Sequence, residues 1–229
     1  MRPSERSGIS PFFVMEVMKA AARRQELVGD VLHLEVGQPS TPAPASALAA
    51  AASAMAADRL GYTEATGLPS LRRRIARMYA DRHGLDVDAD RVVVTVGASG
   101  GFTLAMLACF DPGDRVALTE PGYAAYRNIM MALGLEVVPI PVGADTGFNP
   151  TVDHLRSALP FSGLVIASPS NPTGTVIDEA GMRSLTSFCR AEDIRVISDE
   201  IYHRISFGAQ EVSALGFEAD AVVVQSFSK

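Results

Sequence analysis

From Arg91 onward the chain repeats one unit: an apolar, β-branched run of four to six residues, a helical stretch, then a breaker. The runs are Val92 to Val96, Val116 to Thr119, Leu135 to Ile140, Leu164 to Ala167, Ile194 to Ser198 and Ala221 to Gln225. Most lack the apolar/polar alternation of a half-buried strand, which predicts strands covered by helices on both faces. Helical stretches between most of them make βαβ units. The expected fold class is therefore α/β, with a mostly parallel sheet sandwiched by helices. Asp111-Pro112-Gly113-Asp114, Gly134, the Pro139 to Pro141 stretch and Asn171-Pro172-Thr173-Gly174 separate the units.

The first ninety residues follow another rhythm. A short amphipathic helix is expected from Phe12 to about Glu26, with Phe12, Met15 and Lys19 on one face, and it reads as an arm. A strand from Val31 to Val36 runs into Gly37-Gln38-Pro39, and Pro44 opens an alanine-rich helix that ends near Asp58. Gly61-Tyr62-Thr63 is a loop. The next helix buries Leu68, Leu71, Ile75, Met78 and Tyr79, turns three arginines to solvent and stops at Gly84. No internal repeat or low-complexity linker divides the chain.

Charge and composition narrow the partners. Twenty Lys and Arg against 26 Asp and Glu leave a formal net charge of −6 over 229 residues, which argues against a surface for nucleic acid or anionic lipid. No stretch approaches the roughly 18 apolar residues of a membrane span. The apolar run after Pro11 is cut by Glu16 and Lys19 before a secretory core could form, so a cytoplasmic location is expected. Cys109 and Cys189 lie far apart in apolar helical stretches, which suggests neither a disulfide framework nor a metal site and fits a reducing compartment.

In open α/β sheets ligands bind outside the carboxyl ends of the strands, so the residues just after each run carry the information. Five such ends stand out. Gly97-Ala98-Ser99-Gly100-Gly101 offers backbone N–H groups, a hydroxyl and a helix N-terminus to a phosphate, although such a turn is as readily a steric device. It matches neither the Walker nor the dinucleotide pattern. Glu120-Pro121-Gly122-Tyr123 presents a ring that could stack on a flat ligand or simply fill the core. Ser168-Pro169-Ser170-Asn171-Pro172-Thr173-Gly174 offers the Asn171 amide, or a plain Asn-Pro turn. Asp199-Glu200-Ile201-Tyr202 brings a carboxylate out of a buried strand with a phenol three residues on, or a helix cap. Ser226-Phe227-Ser228-Lys229 ends on a lysine, which, if partly desolvated, suits Schiff-base chemistry. A phosphate cradle, a stacking ring, a donor, a carboxylate and an amine together form the inventory that pyridoxal 5′-phosphate requires.

The chain resembles the class I/II aminotransferases, fold type I pyridoxal-phosphate enzymes of the aspartate aminotransferase superfamily. The resemblance rests on Gly37-Gln38-Pro39, Tyr62-Thr63-x-x-x-Gly67-x-x-x-Leu71-Arg72, Gly97-Ala98-Ser99-Gly100, Pro121-Gly122-Tyr123, Ser170-Asn171-Pro172-Thr173-Gly174, Asp199-Glu200-Ile201-Tyr202 and Ser226-Phe227-Ser228-Lys229, in this order. It implies that Lys229 carries the cofactor as a Schiff base and shuttles a proton, that Asp199 pairs with the pyridine nitrogen, and that Asn171 and Tyr202 donate to the ring's phenolate oxygen. It implies further that Tyr123 stacks on the ring and that Ala98 and Ser99, with Ser226 and Ser228, hold the phosphate. Tyr62 would reach the partner subunit's phosphate in a homodimer, and the Gly37 segment, with Asn171, would line the substrate side.

The same resemblance implies an amino group passed between an L-amino acid and a 2-oxo acid, with a lyase, synthase or decarboxylase on the same cofactor as the alternative. A cofactor-sensing regulator would need a DNA-binding module that thirty residues without a basic patch cannot build. Residues 1–58 are expected to form an arm and a small-domain segment, and residues 59–229 the cofactor-binding large domain. In the family the chain continues past the lysine with a phosphate-binding arginine and a domain whose arginine clamps the substrate carboxylate, so these residues are expected to be the front of a longer polypeptide.

Overall fold

The computed structural model describes residues 2–229. Its centre is a five-stranded sheet of β1 (Arg115–Glu120), β2 (Glu136–Pro141), β3 (Gly163–Ala167), β4 (Arg195–Asp199) and β5 (Val222–Val224), in the order β2-β1-β3-β4-β5. All four pairings are parallel. Around it stand α4 (Gly97–Cys109), α5 (Ala124–Leu133), α6 (Val152–Ala158) and α7 (Glu179–Ala191); before it come α1 (Phe13–Val28), α2 (Ala45–Ala57) and α3 (Pro69–His83).

The continuous apolar runs are explained by two cores. Ala117, Leu164, Ile166 and Val196 point into one, which α6 and α7 close with Leu155, Met182, Leu185 and Cys189. Their strand neighbours Val116, Leu118, Val165 and Ile197 point into the other, which α4 and α5 close with Phe102, Met106, Tyr126 and Met130. Alternate side chains therefore enter opposite cores, so both parities are mainly apolar. The exception is the edge strand β2, where Val138 and Ile140 are buried while Glu136, Pro139 and Pro141 are exposed.

This arrangement also creates a switch point. After β1 the chain turns outward to β2 through α5 on one face; after β3 it continues to β4 through α7 on the other. The connections part between β1 and β3, and a crevice outside their carboxyl ends is the expected consequence.

Four expectations are corrected. Val92 to Val96 is extended but is no strand: one ladder-like bond, Val94 N–H to the Thr66 carbonyl at 2.9 Å, holds it, and Val93 and Val96 are exposed. Val31 to Val36 forms no strand either, and Leu32 and Leu34 stand in solvent. Of the arginines expected on the wet side of α3, Arg72 instead folds inward, its Nε donating to the Val92 carbonyl and Nη2 to Asp90, both at 2.8 Å. Leu68 at the head of that helix is exposed, while Tyr79 is buried and Gly84 ends the helix in the left-handed region. Among the described residues no helix is long and apolar enough to cross a membrane.

Candidate active site

Parallel register sets the ends of the central strands side by side: Ala167 pairs with Asp199, and Asp199 with Val224. Asp199 is the last residue of β4 and only 2% exposed. Its Oδ2 accepts a hydrogen bond from the Tyr126 hydroxyl, and its Oδ1 one from the Ile201 N–H at 3.1 Å. Burial pushes the carboxyl above its ordinary range, and the two hydrogen bonds pull it back. No side-chain cation among the described residues pairs with it.

Tyr126 was not singled out by the sequence reading. The available signal was its spacing from Tyr123, since positions three apart share a helix face. Tyr123 precedes α5, and the two rings meet edge to face at 5.4 Å. On its other side Tyr126 packs on Phe102 of α4 at 4.8 Å. Burial first, then the Asp199 charge, pushes the Tyr126 phenol far up, so it stays protonated and can donate. Gly122 sets the turn that aims this pair: a Cβ there would lie 2.4 Å from the Thr119 carbonyl oxygen, closer than the backbone allows.

The remaining strand ends gather around Tyr202 at the same edge. Asn171, after β3, donates from Nδ2 to the Tyr202 hydroxyl at 3.3 Å. Tyr202 lies in the turn after β4, and its phenol, like that of Tyr123, is pushed up by burial and then by Asp199. Lys229, after β5, holds its Nζ 5.6 Å from the centre of the Tyr202 ring. Its side chain is exposed. The chain has one other lysine, Lys19, which lies on α1 paired with Glu16.

α4 reaches the same edge from outside the sheet. Its last turn feeds β1 through residues 110–114, so its N-terminus lies about 20 Å away by helical rise, toward the carboxyl ends. Val96 gives that end no side-chain cap, which leaves N–H groups of the first turn, Ala98 and Ser99 among them, available to an anion. Ser226 and Ser228 follow β5 and bond to one another, Oγ to Oγ at 2.5 Å. Tyr62 and Gly37 stand apart: both are exposed, and neither makes a hydrogen bond with the Asp199 cluster among the described residues.

The donor set suits a planar group with a protonated ring nitrogen, a ring oxygen and an anionic tail. A buried carboxylate lacking a cationic partner would face the nitrogen, an amide and a phenol the oxygen, and an uncapped helix N-terminus the tail.

Over its whole length the chain is 52% identical to a valine–pyruvate aminotransferase of Mycobacterium tuberculosis, and covers 60% of that protein. It is 33% identical to an arginine–pyruvate transaminase of Pseudomonas aeruginosa, over 84% of this chain and 50% of that one. Among solved structures, an aminotransferase from Mycobacterium tuberculosis superposes with a TM-score of 0.96 at 51% identity, over 100% of this chain and 60% of the other. Aspartate aminotransferase from Thermus thermophilus with maleate superposes at 0.94 and 28% identity, again over 100% and 61%. This chain thus spans about three fifths of such relatives. The family model for aminotransferase class I and II matches residues 29–229, and the chain belongs to that family.

Proposed function

We propose that the protein bearing this chain is a pyridoxal 5′-phosphate-dependent aminotransferase that moves an amino group between an L-amino acid and a 2-oxo acid. The observation that carries this reading is Asp199, a buried carboxylate at the sheet's carboxyl edge held by two neutral donors and matched by no side-chain cation among the described residues. Bound there, the cofactor supplies the electron sink that lets a bond at an amino acid's Cα break. Asp199 would keep the ring nitrogen protonated, and Tyr126, by donating to Oδ2, holds that carboxylate ionised against the cost of burial. Asn171 and Tyr202 would donate to the ring oxygen, and Tyr123 would cover one ring face. Ala98, Ser99, Ser226 and Ser228 would bind the phosphate. Lys229 is the amine at this edge; its Nζ would carry the cofactor and then take and return the substrate's Cα proton.

In this reading residues 1–58 form an arm and a segment of a small domain, and residues 59–229 the cofactor-binding large domain. Two copies pair, with Tyr62 serving the neighbouring phosphate and the Gly37 segment the substrate side; the exposure of Tyr62 supports this. Two free cysteines fit a reducing, cytoplasmic setting. The names of the relatives at 52% and 33% identity both include pyruvate, which makes it the first amino acceptor to test.

The test is acceptor dependence in the full-length protein. Given an L-amino acid alone, it should release about one 2-oxo acid per site and stop, then resume when pyruvate is added and form alanine. Continuous turnover without an acceptor would indicate a lyase or decarboxylase instead.

A further inference from the structure

Directly behind the site lies a buried polar cluster that the transfer chemistry does not use. Glu200, next to Asp199, is fully buried. All its hydrogen bonds fall on one oxygen: Oε1 accepts from Ser198 Oγ at 3.1 Å, Ser213 Oγ at 3.2 Å and the Ala214 N–H at 2.9 Å. Its Oε2 has no partner, nor does either ring nitrogen of buried His203, yet Oε2 and His203 Nδ1 face each other at 3.7 Å. Two orphaned polar atoms thus face each other inside the protein, and a proton on Oε2 directed at Nδ1 would give both a partner.

The pair spans the turn that presents the site. His203 N–H donates to the Glu200 carbonyl at 3.0 Å, Glu200 N–H to the Val224 carbonyl at 2.9 Å, and Tyr202 lies between the two residues. Ile201, in the same turn, supplies the N–H on Asp199 Oδ1. We propose that Glu200 and His203 are positioning residues for this site: the pair holds one proton between Glu200 Oε2 and His203 Nδ1, which lie 3.7 Å apart across the turn that carries Tyr202 and closes on Asp199, and that proton steadies the turn. This rests on the reading of the site given above.

The surroundings favour the neutral form of both groups. Burial pushes the Glu200 carboxyl up to about 7 against the three hydrogen bonds on Oε1, which pull it down, with adjacent Asp199 adding a smaller push upward; burial also pushes the His203 imidazole down. The other charged or titratable groups facing the pair are Arg204 in the same turn, Glu211 from the following loop, and Tyr79, Arg82 and His83 from α3, the His83 ring lying 5.6 Å from that of His203. For a buried acid raised in this way, the stabilising contribution is complete below the unfolded carboxyl range and is lost as pH rises through the folded value. The hold on the turn therefore loosens toward alkaline pH.

The test compares wild type, Glu200→Gln and Glu200→Ala in the full-length protein. The amide of Gln can make every hydrogen bond of the protonated acid but cannot ionise. Two readouts are taken from about pH 6 to about pH 9: the dissociation constant for pyridoxal 5′-phosphate, and the unfolding temperature of the apoprotein. Wild type should weaken toward alkaline pH about tenfold more than Gln in cofactor binding. Its apoprotein should lose several degrees relative to Gln over the same range, while Ala binds about tenfold more weakly throughout. Wild type and Gln tracking each other across the range would overturn the proposal, as would an Ala variant of wild-type affinity or a Gln variant that fails to fold. If no variant binds the cofactor, the reading of the site falls, and the apoprotein comparison still decides whether the pair shares a proton.

Discussion

At Asp199 burial and hydrogen bonding work against each other, and the balance decides whether the carboxylate stays charged. Tyr126→Phe removes the bond to Oδ2 and leaves a buried acceptor unpaired, a loss of about 1–3 kcal/mol. Because that bond lowers the Asp199 pKa, its removal should move the acid limb of cofactor binding to higher pH, and a titration of affinity against pH in the variant checks this. Asp199→Ala should keep the fold, retain the cofactor poorly and lower the rate by several orders of magnitude. Steady-state kinetics within threefold of wild type would contradict the role given to it. The strand-end residues were legible because a polar side chain just after an apolar run has few other reasons to be there. Tyr126 was not, because a tyrosine inside a helix reads as core, and its hydroxyl acquires meaning only when β4 brings a carboxylate to it. Arg72 is a similar case: its inward turn depends on a carbonyl twenty residues away, a contact no local pattern records.

Elements followed the sequence where tertiary structure supplied a partner. The five apolar runs from Val116 onward became strands because each has a parallel neighbour and helices over it. Val92 to Val96 and Val31 to Val36 are also rich in apolar residues but have no ladder, since β propensity measures fit to a pleated surface rather than an intrinsic preference. Packing between elements is tight enough to test. Gly163 opens β3 against the Phe110 ring that follows α4, and a Cβ there would come within 2.2 Å of Phe110 Cζ. Gly163→Ala should therefore destabilise the sheet by about 1–3 kcal/mol through overpacking, read as a lowered denaturation midpoint. An unchanged midpoint would mean that the Phe110 ring yields freely.

At the scale of the molecule, the apolar surface is uneven. Phe13, Leu27, Leu32, Leu34, Met55 and Val96 are exposed along the N-terminal elements and the approach to α4, more than isolated surface hydrophobics would give. In the proposed homodimer, Tyr62 is the residue brought to a neighbouring site. Lys229→Ala and Tyr62→Phe variants, each impaired, should recover about one good site per mixed dimer if the two residues act in trans, and two-variant complementation assays read this directly. The central claim is narrower than the assembly: Lys229 at the Asp199 edge is where the cofactor is held. Borohydride reduction of the full-length, cofactor-loaded protein, followed by peptide mapping by mass spectrometry, tests it. The account predicts a phosphopyridoxyl group on Lys229 and none on Lys19; a label on any other lysine, or no label on a protein that transaminates, would contradict it.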